Sequence, residues 1–183
     1  MEQGILLYGP PASGKDTITT VLTGMDRRYI PFTRLKVGTG RTRGYRMASP
    51  ERLRELEERG EVVYRNDRYG NTYAVDRPGL RDAAAGGRVP VVHLGQIGGV
   101  RAVAEGCAAR WWRVLLWCPR EITAQRSLGR GDGDTAARLA AWDATERDVA
   151  DNPGTAWDLV VHTDRVSARE AAERMHALVN AAG

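Results

Sequence analysis

Residues Gly9 to Thr17 read Gly-Pro-Pro-Ala-Ser-Gly-Lys-Asp-Thr and follow the apolar run Ile5-Leu6-Leu7-Tyr8. A Gly-x-x-x-x-Gly-Lys segment set between a buried strand and a helix is a phosphate-binding loop. Its glycines let the backbone wrap a phosphate chain, while consecutive N–H groups and the helix N-terminus supply positive potential. The loop therefore assigns Gly9, Pro10, Pro11, Ala12, Ser13, Gly14, Lys15, Asp16 and Thr17 to one polyphosphate site. Lys15 acts there as a point charge on the β- and γ-phosphates. Only Lys15 and Lys36 are lysines among 27 basic residues, so a compact ammonium stands out against a background of arginine. The position after the lysine, ordinarily a Ser or Thr that ligates magnesium, is Asp16.

After this strand–loop–helix start the chain goes on alternating strands and helices, which argues for a parallel α/β sheet with the ligand site at the carboxyl ends of the strands. Strand-like runs occur at Gly4–Tyr8, Val89–Leu94, Trp111–Trp117 and Trp157–Val161. Helical periodicity occupies Asp16–Met25, Gly98–Glu105, Glu121–Leu128, Thr135–Asp148 and Ser167–Val179. Residues 28–76 break the rhythm with short strand-like pieces, Val62–Arg65 and Thr72–Val75. A helix opening at Ser49-Pro50-Glu51 precedes these pieces, with Ser as N-cap and Pro in the first turn. The expected organisation is one domain over residues 1–183. Its core comprises 1–32 and 77–183, an acceptor-binding insertion covers about 33–76, and a short lid covers about 126–138. The lid contains Leu128-Gly129-Arg130-Gly131-Asp132-Gly133-Asp134, read either as a hinge that swings an arginine onto a phosphate or as a solvated turn.

At 183 residues the chain can bury a substantial core. No apolar run has the length of a membrane span and no signal pattern opens the chain. Cys107 and Cys118 have no metal or redox spacing and read as buried apolar residues, so the expected compartment is the cytoplasm. A net charge of +4 would suit nucleic acid, but the basic residues fall in two discrete clusters. Arg34, Lys36, Arg41, Arg43 and Arg46 form one, and Arg126, Arg130 and Arg138 the other. That pattern clamps small anions rather than tracking a polyanion. The expected partners are therefore small ligands, with no nucleic acid and no membrane, for a monomer or homodimer.

The order of these pieces resembles the guanylate kinase family of nucleoside monophosphate kinases. The resemblance runs over nearly the whole chain. It rests on the loop, Thr33-Arg34, Tyr45 ahead of Ser49-Pro-Glu-Arg-Leu, Gly60-Glu61-Val62-Val63, Tyr69-Gly70-Asn71-Thr72-Tyr73, Arg126-Ser-Leu-Gly-Arg130-Gly and Ala137-Arg138-Leu139. It implies a P-loop NTPase fold, ATP as phosphoryl donor with Mg2+, and a small phosphorylated acceptor. Arg34 and Tyr45 would grip the acceptor's phosphate, with Arg41 or Arg43 as the second arginine. Arg126, Arg130 and Arg138 would join Lys15 as catalytic charges on the γ-phosphoryl group.

Departures from the family pattern argue against guanine as the base. Tyr64 stands where the family has a guanine-reading carboxylate, His93 and Gly95 stand where it has an Asp-x-Asp pair, and Thr72 replaces the first of two tyrosines before Tyr73. Gly-Lys-Asp followed by a hydroxyl residue resembles the ribose 1,5-bisphosphate phosphokinase branch, so a sugar phosphate is the alternative acceptor. Asp16 serves either as a magnesium ligand in place of the lost acidic pair or as a first-turn helix acid. His93 either bonds the acceptor or is a satisfied core histidine, and Asp67 and Arg68 either read a substrate or are solvated. The remaining alternatives are a non-catalytic guanylate-kinase-like binding module and a nucleic-acid-binding ATPase.

Overall fold

The structure is a computed structural model and describes residues 3–40, 42–68, 70–129 and 135–181. In chain order the first half comprises β1 (Gln3–Tyr8), α1 (Lys15–Met25), β2 (Tyr29–Pro31), β3 (Arg34–Val37), β4 (Tyr45–Met47), α2 (Pro50–Glu58), β5 (Val62–Arg68) and β6 (Asn71–Asp76). The second half comprises α3 (Arg77–Ala84), β7 (Val89–Leu94), α4 (Ile97–Gly106), β8 (Arg110–Trp117), α5 (Arg120–Leu128), α6 (Thr135–Asp151), β9 (Leu159–His162) and α7 (Ala168–Asn180).

Five strands form a parallel sheet in the order β2-β7-β1-β8-β9, with β1 at its centre. Ile5, Leu6, Leu7 and Tyr8 of β1 are wholly buried. Such continuous burial marks a strand covered on both faces. Alternation along β1 assigns its residues to two cores. Ile5 and Leu7 pack with Ile18 and Leu22 of α1 and with Ala171 and Met175 of α7, while Leu6 and Tyr8 pack with Leu80 of α3 and Ile97 and Val100 of α4. All parallel strands therefore present their carboxyl ends on one edge, where the loop after β1 lies.

Residues 34–76 build a second, mixed sheet in the order β4-β3-β6-β5. Leu35 and Ala74 from this sheet meet Leu53 and Leu56 of α2 in a small separate core. Ser49 caps α2 by accepting from the Arg52 N–H, as the sequence predicts. Arg46 ties this sheet to the remainder of the chain. Its Nε donates to Thr33 O at 2.9 Å, and its guanidinium pairs with the buried Asp76 carboxylate. Asp76 in turn caps α3 through the Gly79 N–H at 2.8 Å. A Cβ at Gly79 would lie 2.2 Å from Arg46 Nη2, so a larger residue there would displace the guanidinium.

Some expected boundaries move. The last strand starts at Leu159 rather than Trp157, because Trp157 turns aside to stack on Tyr8 with ring centroids 5.5 Å apart. Thr135–Asp148 extends to Asp151. β2 and α3 carry no sequence signal of their own: one is three residues long and the other opens with Arg-Pro-Gly. Trp111, Trp112, Cys107 and Cys118 are buried, and both thiols are free. No helix among the described residues is long and apolar enough to cross a membrane.

Candidate active site

The buried strand β1 delivers the chain to Gly9, whose backbone passes so close to β8 that a Cβ would meet Leu116 O at 2.0 Å. Ala12 and Gly14 then adopt positive φ, 58° and 88°, and turn the chain into α1 with Gly14 as N-cap. Gly14 has no side chain to cap the helix, so the first-turn N–H groups of α1 are available to an anion. Lys15 folds back over the loop. Its Nζ donates to Gly9 O at 2.7 Å, Pro10 O at 2.8 Å and Ser13 Oγ at 3.2 Å. Burial lowers its pKa from 10.5 to about 8, against the opposing pull of Asp16. An ammonium held this way supplies charge at the mouth of a preformed ring of backbone donors.

α5 supports the loop from behind. Thr123 Oγ1 donates to Pro11 O at 3.1 Å. Arg126 donates to Ala12 O at 2.9 Å and to Thr163 O at 2.6 Å. The guanidinium expected on the γ-phosphoryl group thus touches the loop's own backbone. Arg138 lies half-buried in the first turn of α6, one turn before Ala141. Arg41 and Arg130 lie outside the described residues, as does the centre of the expected lid. Arg43 is described and exposed, in the short link between β3 and β4.

Asp16 is exposed beside His93, with its Oδ1 3.4 Å from the imidazole Nδ1. The other ring nitrogen, Nε2, bonds Thr19 Oγ1 at 2.7 Å. His93 is therefore a satisfied histidine that also lines the cleft. Among the described residues no cluster of three His, Cys, Asp or Glu side chains could hold a metal alone. Magnesium bound between a protein and a polyphosphate needs only one or two carboxylates, the remaining ligands being phosphate oxygens and water. The exposed Asp16 carboxylate, next to the loop, fits that requirement.

A cleft of about 730 Å³ opens between the loop and the second sheet. Gly9, Pro11 and Lys15 line one end. Arg34, Tyr45 and Tyr73 line another part. Arg34 and Tyr45 are register partners on β3 and β4, and β6 brings Tyr73 alongside. The Arg34 guanidinium lies 6.0 Å from the Tyr45 ring centroid and 5.2 Å from that of Tyr73. Lys36, buried, sits 5.5 Å and 5.8 Å from the same two rings and donates to Thr39 O. Arg34 and the two phenols line the cleft and suit a phosphate group, while Lys36 adds positive charge from behind the rings.

Tyr64 stands in the cleft wall, its hydroxyl on Gln96 Oε1 and its ring against α4 at Gly99. Burial raises its pKa. Asn66 lines the cleft with a buried Oδ1 that has no partner among the described residues. Thr72 does not line the cleft; it donates to Asp67, which does, and that bond holds the Asp67 carboxyl below its ordinary range.

Sequence reasoning missed the wall formed by α6. Ala141, Ala144, Thr145 and Asp148 line the cleft at helical spacing. Asp148 Oδ2 accepts from Tyr8 Oη at 2.7 Å and from the Ile97 N–H at 2.8 Å, fixing this wall to β1 and to the start of α4. The i, i+3, i+4, i+7 pattern of small residues ending in an acid was the available signal.

No protein-family model and no curated protein matches this sequence. The fold is nevertheless similar to solved structures. Guanylate kinase from Anaplasma phagocytophilum superposes with a TM-score of 0.67 at 17% identity, over 99% of this chain and 86% of that one. Shikimate kinase from Acinetobacter baumannii in complex with shikimate superposes with a TM-score of 0.53 at 14% identity, over 100% and 94%. At these identities the likeness establishes a P-loop kinase-like fold, with a parallel five-stranded sheet and a small mixed sheet beside it.

Proposed function

We propose that this chain is an ATP-dependent kinase that transfers the γ-phosphoryl group to a small phosphorylated acceptor, a nucleoside monophosphate other than the guanine one. One observation carries this reading: the phosphate loop with Lys15 and the Arg34–Tyr45–Tyr73 cradle open into the same cleft. Two anion sites facing each other across one cleft suit a donor and an acceptor. Phosphoryl transfer asks little covalent chemistry of a protein beyond alignment and charge stabilisation. The loop N–H groups and Lys15 would hold the donor's β- and γ-phosphates, and Arg34 with the two tyrosines would orient the acceptor's phosphate. Arg126 would act by stiffening the loop, and Arg138, in the first turn of α6, would add charge toward the transferring group. Mg2+, bound through Asp16, would neutralise charge on the donor phosphates.

The wall argues against guanine only at the positions that the resemblance singles out. Guanine reading calls for carboxylates that accept from its N–H groups, and Tyr64 and His93 present none. A sugar phosphate is the second reading, supported by Asp67, an exposed carboxylate on the cleft lining that suits hydroxyl donors. A coupled assay of ATP consumption against nucleoside monophosphates and sugar phosphates tests both. One acceptor should stimulate turnover, and Lys15→Ala should abolish it. Turnover of none of them, with tight ATP·Mg binding retained or absent, would overturn the kinase reading and favour a binding module.

A further inference from the structure

His93 stands next to last in β7, in register with Leu7 of β1, and its side chain reaches across to α1. Two residues of α1 one turn apart receive it, Asp16 and Thr19. Thr19 is buried, and its Oγ1 lies 2.7 Å from Nε2. Asp16 is open to solvent, its side chain 90% exposed against 27% for His93, and its Oδ1 lies 3.4 Å from Nδ1. The first distance is that of a good hydrogen bond, whereas the second exceeds the roughly 2.7–3.2 Å of an ordinary N–H···O contact. Two ligand atoms each about 2.1 Å from one cation, at angles from octahedral to tetrahedral, stand about 3.0–3.4 Å apart. His93 also lines the cleft together with Gly9 and Lys15, on the side where phosphates held by the loop would lie.

We propose that Asp16 and His93 are joint ligands of the cation carried by the donor nucleotide, and that the imidazole turns the site toward transition metals and away from magnesium. The inference rests on the reading of the loop as a nucleotide site. With Nε2–H donating to Thr19 Oγ1, the lone pair stays on Nδ1, the nitrogen beside Asp16. A ligating histidine ordinarily has its other ring N–H tied in this way, which fixes both tautomer and ring orientation. Thr19 is thus a positioning residue. The Asp16 carboxylate suits magnesium and manganese alike, but an imidazole nitrogen favours first-row transition cations. Mg2+ would use Asp16 alone, and a transition cation would use both residues. Phosphate oxygens and water supply the remaining ligands. Mn2+ is the weakest binder of the first-row series, so a preference for it over Mg2+ is a demanding sign of the nitrogen ligand.

Electron spin-echo envelope modulation of the Mn2+·ADP complex reads the ligand directly, with the protein uniformly ¹⁵N-labelled and the nucleotide unlabelled. The spectrum should show one protein nitrogen bound to Mn2+, and His93→Gln should abolish its coupling. Competition of the two cations for the protein·ADP complex should favour Mn2+ by at least about tenfold more than free ADP does. His93→Gln should lose that excess through weaker Mn2+ binding, with Mg2+ affinity within about twofold of the parent, whereas Asp16→Asn should weaken both cations. ADP and Mn2+ bound with no protein nitrogen coupling would overturn this inference alone and leave the nucleotide site standing. A coupling that survives His93→Gln would overturn it equally, since another nitrogen is then the ligand. Failure of ADP to bind with either cation would remove the nucleotide reading and this inference together. The parent spectrum decides by itself, even where His93→Gln fails to fold.

Discussion

Lys15 is half-buried against the carbonyls of Gly9 and Pro10, and its pKa is lowered to about 8. At pH 8 roughly half of the free protein therefore carries a neutral lysine there. A polyphosphate seated in the loop brings negative charge within a few ångströms, and an opposite charge at that range moves a pKa by roughly 1–3 units toward the charged form. Nucleotide binding at pH 8 should then take up roughly 0.4–0.5 proton. The sign is fixed: the bound state holds more protons, so affinity falls as pH rises through 8, by at most about tenfold per pH unit. At about pH 6.5 the lysine is already charged in the free protein and its contribution to uptake nearly vanishes. Calorimetry of ADP binding in two buffers of different ionisation enthalpy, at both pH values, reads the proton number directly. Lys15→Met keeps the stem and removes the titrating group, so its binding should be weaker and the extra uptake at pH 8 absent. Equal uptake by parent and variant at pH 8 would refute the assignment to Lys15, and no uptake by the parent would refute the coupling of the lysine to the phosphates.

Three further outcomes follow from the site and its supports. Asp76→Ala removes both the α3 cap and the carboxylate partner of Arg46, and should cost about 2–4 kcal/mol, lowering the melting temperature by roughly 5–15 °C. Scanning calorimetry that finds less than a degree of change would show that neither contact matters to stability. Asn66→Ala should raise the acceptor's KM about tenfold with the KM for ATP unchanged. Steady-state kinetics in which both constants move together would place Asn66 outside acceptor recognition. Arg126→Lys keeps the charge but loses the fork that reaches Ala12 O and Thr163 O. It should lower the melting temperature by a few degrees and raise the KM for ATP, whereas an unchanged melting temperature with a fall confined to kcat would mean that Arg126 acts on the phosphoryl group itself.

The loop was legible because everything that shapes it is local: the buried strand, the glycines and the lysine lie within a dozen residues. Helices α1, α4, α5 and α7 were legible for a similar reason, since amphipathic periodicity repeats within each. Arg34 and Tyr45 could be singled out by motif, and the parallel pairing of β3 with β4 sets them side by side. What escaped depends on long-range contact. Asp148 meets Tyr8 across 140 positions of chain, and nothing near either residue announces the bond. β2 and β4, at three residues each, are too short to show a period. α3 escaped because Arg-Pro-Gly reads as a turn, and Gly79 is there to admit the Arg46 guanidinium rather than to break a helix. Lys36 was visible only as one charge in a basic stretch, and its burial behind two tyrosine rings comes from the fold of β3 against β6.

The guanidinium of Arg46 holds Thr33 and Asp76, the two points between which the second sheet leaves and rejoins the chain. If that sheet swings relative to the parallel one about this pin, displacement grows with distance from it, and Tyr64 must slide on α4, where its hydroxyl meets Gln96 and its ring lies against Gly99. Arg34 is the next residue after Thr33, whereas the β5–β6 turn stands six residues out along β6, about 20 Å away at strand spacing. A rotation of about 10° would carry the turn, with Asn66 to Arg68 beside it, roughly 3–4 Å while shifting Arg34 by less than about 1 Å. The phosphate end of an acceptor would thus meet a nearly stationary Arg34, and its other end the part of the wall with the longest travel.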